Sequence, residues 1–367
     1  EYLARYVDDL AIISRKPQEI VDALEKDYRF KLKGTGPITY HLGSDFFRDS
    51  EGVLCMAPKK YIDRMLEIYL RLFGTKPRTT FTSPLEKGDH PELDTSPELG
   101  TKGIKQYQSL IGAAQWAVSL GRLDIATAVM TLSSFCAPPR EGHLSRIRRV
   151  FGYLVKMKHA TICFKTGMPN YLGVPIVEHE WQKTVYGDAY EIVPDDAPRP
   201  LGKPVLTTTF VDANLCHDMT TGRAVTGILH LVNQTVIDFY SKKQPLVETA
   251  TYGSEFMAAR TSTEQIIELP TTLCYLGVPI QGTSYMFGDN KTVTDSSINP
   301  ASKLNKRHVI LSYHCVREVI AAKVLYFTFI HGKDNPANIL SKAWGYSSIW
   351  PMLKTLLFWE GDTLDVE

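Results

Sequence analysis

Two short apolar stretches open the chain, Leu3, Tyr6 and Val7, then Leu10 to Ile13, with Asp8 and Asp9 between them. This pattern around a polar break predicts a tight β-hairpin with the acid pair at its bend. Pro17 then opens an amphipathic helix with Ile20, Val21, Leu24 and Tyr28 on one face. Lys31 to Gly36 is a turn-rich exit. A second hairpin is expected from Tyr40 to Phe47 and Val53 to Met56, around Asp49-Ser50-Glu51-Gly52. The next helix carries Ile62, Met65, Leu66, Tyr69 and Leu72 on its apolar face and ends at Gly74. From 75 to 104 periodicity is lost among Pro77, Pro84, Pro91, Pro97 and three glycines, which predicts a linker or long loop. Helices return over Tyr107 to Leu120, Asp124 to Phe135 and His143 to Lys158, with Asp124 placed to cap the second.

A Pro-rich, acidic stretch over 166–204 has no period and marks the best domain boundary. Beyond it strands alternate with helices. Val205 to Ala213, Thr226 to Val232, Thr235 to Tyr240, Ser284 to Phe287 and Val324 to Ile330 read as strands. Glu248 to about Leu269 reads as a helix with Tyr252, Phe256, Ala259 and Ile266 in register, and Arg307 to Ala322 as another with Val309, Tyr313, Val316 and Ile320. Asn335-Pro336 caps a final helix containing Leu340 and Trp344. No internal repeat and no low-complexity tract interrupts this order.

Composition narrows the class. A chain of 367 residues, 44% hydrophobic, has enough apolar side chain for about two or three globular domains. No apolar run reaches the ~18 residues of a membrane span. No signal peptide is visible and residue 1 is Glu, so the chain is expected to be part of something longer, such as a processed polyprotein. A net charge of +1 gives no global basic footprint. Nucleic-acid contact would have to use local runs: Arg146, Arg148 and Arg149 within 140–149, or Lys303 to Arg307, including Lys306 and Arg307. Such runs are most simply solvated helix faces. The six cysteines, at 55, 136, 163, 216, 274 and 315, lack metal-ligand spacing and read as reduced thiols of an intracellular protein. His308 and His314, six apart, share no helix face, and Trp344, Trp350 and Trp359 read as packing residues.

Two carboxylates as close as Asp8 and Asp9 repel each other, and a hard divalent cation with oxygen ligands relieves that repulsion. A second acidic set lies in the strand–helix region. Asp212 falls in or at the end of an apolar strand, where an acid is costly unless paired or metal-bound. Glu255 lies in a helix, and Asp289 directly follows a strand. Singly, each has a bland reading, as a strand end, a surface helix acid and a turn former. Together, strand ends of one α/β sheet and the helix packed on it can converge into an acidic pocket for two divalent ions about 4 Å apart.

Tyr6-Val7-Asp8-Asp9-Leu10 resembles the catalytic signature of retroelement reverse transcriptases. Tyr40-His41-Leu42-Gly43 and Tyr107-Gln108-Ser109-Leu110-Ile111-Gly112 resemble words of the copia-type branch. Ser241-Lys242-Lys243-Gln244, Val247 to Ala258, Gly288-Asp289-Asn290, Tyr313 to Glu318 and Asn335 to Lys342 resemble its ribonuclease H. The resemblance is to copia-type retrotransposon Pol polyproteins, and it covers nearly the whole chain in order. It implies a mixed α/β architecture. A partial polymerase palm spans 1–74, and a linker plus helical thumb and connection spans 75–165. A Pro-rich linker follows over 166–204, then a ribonuclease H-like domain with a mixed five-stranded sheet over 205–345 and a tail over 346–367.

The resemblance further implies that Asp8 and Asp9 are polymerase metal ligands and that Leu42 and Gly43 hold the primer. Asp212, Glu255 and Asp289 become ribonuclease ligands for two Mg²⁺ or Mn²⁺ ions. His331 matches a loop histidine serving proton transfer or product release. Asn338 stands where the family places a fourth aspartate, so the second ion should bind more weakly unless nearby Asp334 compensates. The implied partners are RNA–DNA hybrid, primer–template and the upstream part of the polyprotein, within a cytoplasmic virus-like particle. A further palm aspartate and the fingers lie upstream of Tyr6 in the family, so no independent polymerase activity is expected. A catalytically dead relic that only binds nucleic acid is the alternative. A stand-alone cellular ribonuclease H is a third reading, which the Tyr-Val-Asp-Asp hairpin opposes.

Overall fold

The computed structural model describes residues 1–191, 195–304 and 306–357. Trp359, expected to pack, lies outside the described residues. Strands β1 (Tyr2–Tyr6) and β2 (Asp9–Ile13) form the first hairpin, with Tyr6 paired to Asp9. The bend is therefore Val7-Asp8, and Asp9 already belongs to β2. Val7 takes φ 53, a conformation that β-branched residues rarely adopt. Both strands of this hairpin are exposed or half-buried, and so is helix α1 (Pro17–Lys26).

The second hairpin departs from its expectation. Tyr40 to Phe47 is not one strand: a turn at Leu42-Gly43, both with positive φ, splits it into β3 (Tyr40–His41) and β4 (Ser44–Arg48). β5 (Leu54–Ala57) pairs with β4 and with β6 (Ile162–Cys163), a short strand the periodicity did not reveal. Helix α2 (Lys59–Phe73) ends as expected, with Gly74 at φ 70 donating its N–H to Leu70 O at 2.8 Å.

Helices α3 (Thr101–Ser119), α4 (Ala126–Ser133) and α5 (Glu141–Lys156) build the first core with α2. Asp124 does not cap α4. It is buried in a two-point pair with Arg122, 2.9 and 2.6 Å, just before that helix. The basic run of α5 is not a solvated face either. Arg146 donates to Asp89 and Asp94, Arg149 to Glu86 and the Ser83 carbonyl, and Arg140 to Glu98 and the Ser96 carbonyl. The Pro-rich stretch 75–104 is thus pinned along α5 by ion pairs rather than left as a free linker.

The second sheet has the order β11-β10-β7-β8-β9. Its strands are β7 (Thr207–Asn214), β8 (Val225–Val232), β9 (Thr235–Lys243), β10 (Ser284–Gly288) and β11 (Leu325–Phe329). β7, β8 and β9 run antiparallel, while β10 and β11 run parallel to β7. This is the mixed five-stranded sheet that the sequence led us to expect. Alternate side chains serve two cores. Val211, Ala213 and Ile228 meet α6 (Thr251–Tyr275) and α8 (Ile310–Ala321), whereas Leu229, Leu231 and Val236 join the helical core of α2 to α5.

Other boundaries shift. α6 starts three residues after Glu248 and continues through Pro270. α7 (Lys291–Ile298), capped by the Asn290 side chain, was not expected. Arg307–Val309 is a single 3-10 turn before α8. The last expected helix shortens to α9 (Asn338–Ser341), which leaves Trp344 outside it. What read as a tail forms α10 (Tyr346–Leu357), whose Ile349, Trp350, Leu353 and Leu357 enter the helical core beside Trp344.

The stretch 166–204 also packs. Tyr171 packs at a tilt against Tyr285 and Phe287, and Trp181 and Tyr186 lie over the buried guanidinium of Arg317. Among the described residues no helix is long and apolar enough to cross a membrane.

Candidate metal centre

Strand register brings two of the acids level. Gly288 pairs with Val211 across parallel β10 and β7, so Asp289, one step on, emerges beside Asp212. Glu255 comes from the second turn of α6, which lies on β7. Gln244 fastens that end of the helix, donating to Ser254 O at 2.8 Å and Thr226 Oγ1 at 3.0 Å. One oxygen from each of Asp212, Glu255 and Asp289 then lies within 4.8 Å of the others. Among the described residues this is the one such group of three metal-capable side chains.

Burial first, and then the neighbouring charges of Asp212 and Asp289, hold the Glu255 carboxyl well above its ordinary range. The Ala213 N–H donates to it and opposes that shift. Burial, and next the Asp212 charge, push Asp289 up to about 6. Three crowded, desolvated carboxylates of this kind fit a hard divalent cation with oxygen ligands.

The short helix α9 closes the site from the other side. Gly227 faces Asp212 in the β7–β8 register, and a Cβ there would stand 2.7 Å from Ala337 O. Its absence lets α9 sit on β8. Asn335 anchors the approach, donating from Nδ2 to Val211 O at 2.9 Å and accepting from Ala337 N. Ser341 Oγ consequently donates to Asp212 Oδ2, and Lys342 Nζ stands 3.3 Å from the same oxygen. Neither residue was singled out in the sequence beyond its place in a motif word.

Asn338 is buried at the start of α9, with Nδ2 donating to Gly332 O and Oδ1 lacking a hydrogen-bond partner. It is near the site through Gly332, whose Cβ, if present, would lie 2.9 Å from Asp289 Oδ2. His331 is exposed at the end of β11, its ring edge-on to Phe329, and is not one of the converging side chains. Asp334 is exposed and does not join them.

The remaining sequence candidates lie elsewhere. Asp8 and Asp9 are exposed on their hairpin, and among the described residues no third metal-capable side chain completes a group with them. The Leu42-Gly43 turn packs on α3, where a Gly43 Cβ would come 3.1 Å from Leu120. Lys306 and the exposed Arg307 flank the start of the turn before α8.

No family model matches the chain. Curated relatives do. The chain is 26% identical over 349 residues to the retrovirus-related Pol polyprotein from transposon TNT 1-94 of Nicotiana tabacum, covering 93% of this chain and 23% of that protein. It is 23% identical over 344 residues to the Pol polyprotein from transposon RE1 of Arabidopsis thaliana, covering 93% and 20%. The chain therefore spans about a fifth to a quarter of the length of these relatives. Among solved structures, LC11-RNase H1 in complex with RNA/DNA hybrid is similar at a TM-score of 0.29 and 14% identity, over 37% of this chain and 93% of that one. A score at this level decides nothing alone, and the sheet order above carries the fold. Along 93% of its length, then, the chain is a relative of copia-type, retrovirus-related Pol polyproteins of transposons.

Proposed function

We propose that this relative of transposon Pol polyproteins hydrolyses the RNA strand of RNA–DNA hybrids at Asp212, Glu255 and Asp289. The convergence of these three carboxylates within 4.8 Å, from two strand ends and a helix, carries the reading. A divalent cation, Mg²⁺ or Mn²⁺, would activate water there and offset charge at the phosphodiester. The side chains do the rest. Glu255 and Asp289, both inclined to hold protons, would give them up to hold the cation. His331, exposed just past the end of β11, would pass a proton to the leaving 3′-oxygen. Asn338 offers a neutral oxygen in place of a fourth charge.

Lys306, Arg307 and the Leu42-Gly43 turn are the proposed contacts to nucleic acid, read by shape, backbone and 2′-hydroxyl rather than by sequence. Asp8 and Asp9 are proposed as polymerase carboxylates of primer–template extension. Among the described residues no third acid joins them, and these residues alone are not expected to polymerise. The upstream part of a Pol polyprotein is the proposed partner for that step.

A second reading, an inactive relic that binds nucleic acid, is favoured by the neutral Asn338 and by the lysine against Asp212. Cleavage of a hybrid with labelled RNA by the full chain, in Mg²⁺ and in Mn²⁺, separates the two. The enzyme reading expects cleavage that Asp212→Asn lowers at least ~100-fold and Asn338→Asp raises. A folded wild type that cleaves nothing, rescued by Asn338→Asp, identifies a decayed copy. No cleavage by either leaves the relic.

A further inference from the structure

We propose that this site holds one divalent cation rather than two, with the Lys342 ammonium taking the place of the second beside Asp212. The inference rests on the reading of Asp212, Glu255 and Asp289 as cation ligands. Its first observation is placement. Lys342 Nζ stands 3.3 Å from Asp212 Oδ2, an oxygen that also accepts from Ser341 Oγ. That position is set by the backbone. Lys342 follows directly on α9, which the missing side chain at Gly227 and the Asn335 anchor press onto the sheet. The ammonium is thus delivered to the carboxylates by the same contacts that close the site.

The second observation is charge. The pocket offers three carboxylates, and Asn338, linked to its edge through Gly332, carries a neutral amide whose Oδ1 is buried without a partner. Three negative charges against one lysine leave a formal balance of minus two, which matches one divalent cation. A second cation would face the ammonium at close range without a fourth carboxylate to offset it, and like charges a few ångströms apart are strongly unfavourable. The Lys342 side chain is 41% exposed, so solvent softens that repulsion without removing it.

Counting Mn²⁺ bound to the full chain, by the electron-paramagnetic signal of the free ion during titration, tests this, with Asp212→Asn subtracting ions held elsewhere. The wild type is expected to saturate at one ion per chain. Lys342→Met should take a second, its affinity tightened roughly tenfold or more, whereas Lys342→Arg, which keeps the charge, should remain at one. Because only the charge-removing variant gains an ion, a merely structural lysine would not give this pattern. Two ions in the wild type, or still one in a folded Lys342→Met, overturns the proposal. A folded wild type that binds no ion at the Asp212-dependent site instead overturns the cation reading on which it rests.

Discussion

Gly227 stands opposite Asp212 across β7 and β8, and the space its side chain leaves empty is filled by the backbone of Ala337, Leu340 and Ser341. The acid and the glycine therefore form one device. One strand carries the carboxylate, and its neighbour admits the helix that brings Ser341 and Lys342 to it. A Gly227→Ala Cβ would meet Ala337 O at 2.7 Å and must push α9 outward. Overpacking of this kind costs about 1–3 kcal/mol. Urea unfolding should show that loss, and hybrid cleavage should fall by more than the stability change explains. Unchanged stability and cleavage would mean that α9 is not held against β8.

The acidic site also sets a pH dependence. Asp289 is held up to about 6 against an ordinary value of 3.8. The folded chain therefore binds this proton more tightly than the unfolded chain. Its contribution is fully present below pH about 4 and is lost as pH rises through about 6. With solvent screening allowed for, roughly 1–2 kcal/mol is at stake. Without divalent cation, the stability difference between Asp289→Asn and wild type should move in favour of the variant across that window, read from thermal unfolding at pH 4 to 7.5. A difference that is flat with pH would contradict the crowding of the three acids.

Arg122 and Asp124 form a fully buried pair between α3 and α4. Removing one partner strands the other charge, at a cost of about 3–5 kcal/mol. Asp124→Ala should lower the denaturant midpoint accordingly, and Arg122→Met/Asp124→Leu should recover much of the loss. A cost under 1 kcal/mol for the single change would show that water reaches the pair.

Arg317 tests whether 166–204 is a linker. Its guanidinium donates to the carbonyls of Ser296, Asn299 and Pro300 and lies 4.9 Å from the Trp181 ring centre and 5.4 Å from that of Tyr186. Trp181→Ala should cost about 2–4 kcal/mol, from lost aromatic burial and cation–π contact. It should also make 166–191 more open to limited proteolysis. Equal proteolysis of variant and wild type would return the segment to linker status.

Much of this was legible in the sequence, unevenly. The strand–helix–strand order of Asp212, Glu255 and Asp289 was readable because each acid interrupts or directly follows an apolar run whose period is local. The sheet followed from the same runs. Trp181 and Tyr186 escaped because they pack one by one onto Arg317, more than 100 positions away, and leave no period. α10 was missed although Ile349, Trp350, Leu353 and Leu357 have helical spacing, which Pro351 inside the run does not break. The role of Lys342 had no local signal at all. It depends on a glycine in another strand and on an acid far earlier in the chain.

Strand-resolved cleavage by the full chain in Mn²⁺ and Mg²⁺, of an RNA–DNA hybrid, an RNA duplex and a DNA duplex of one sequence, decides whether the three carboxylates cut RNA paired to DNA. Cuts are expected in the RNA strand of the hybrid alone, lost in Glu255→Gln and in the cation chelator EDTA. Equal cutting of all three duplexes, or cutting that survives Glu255→Gln, would contradict it.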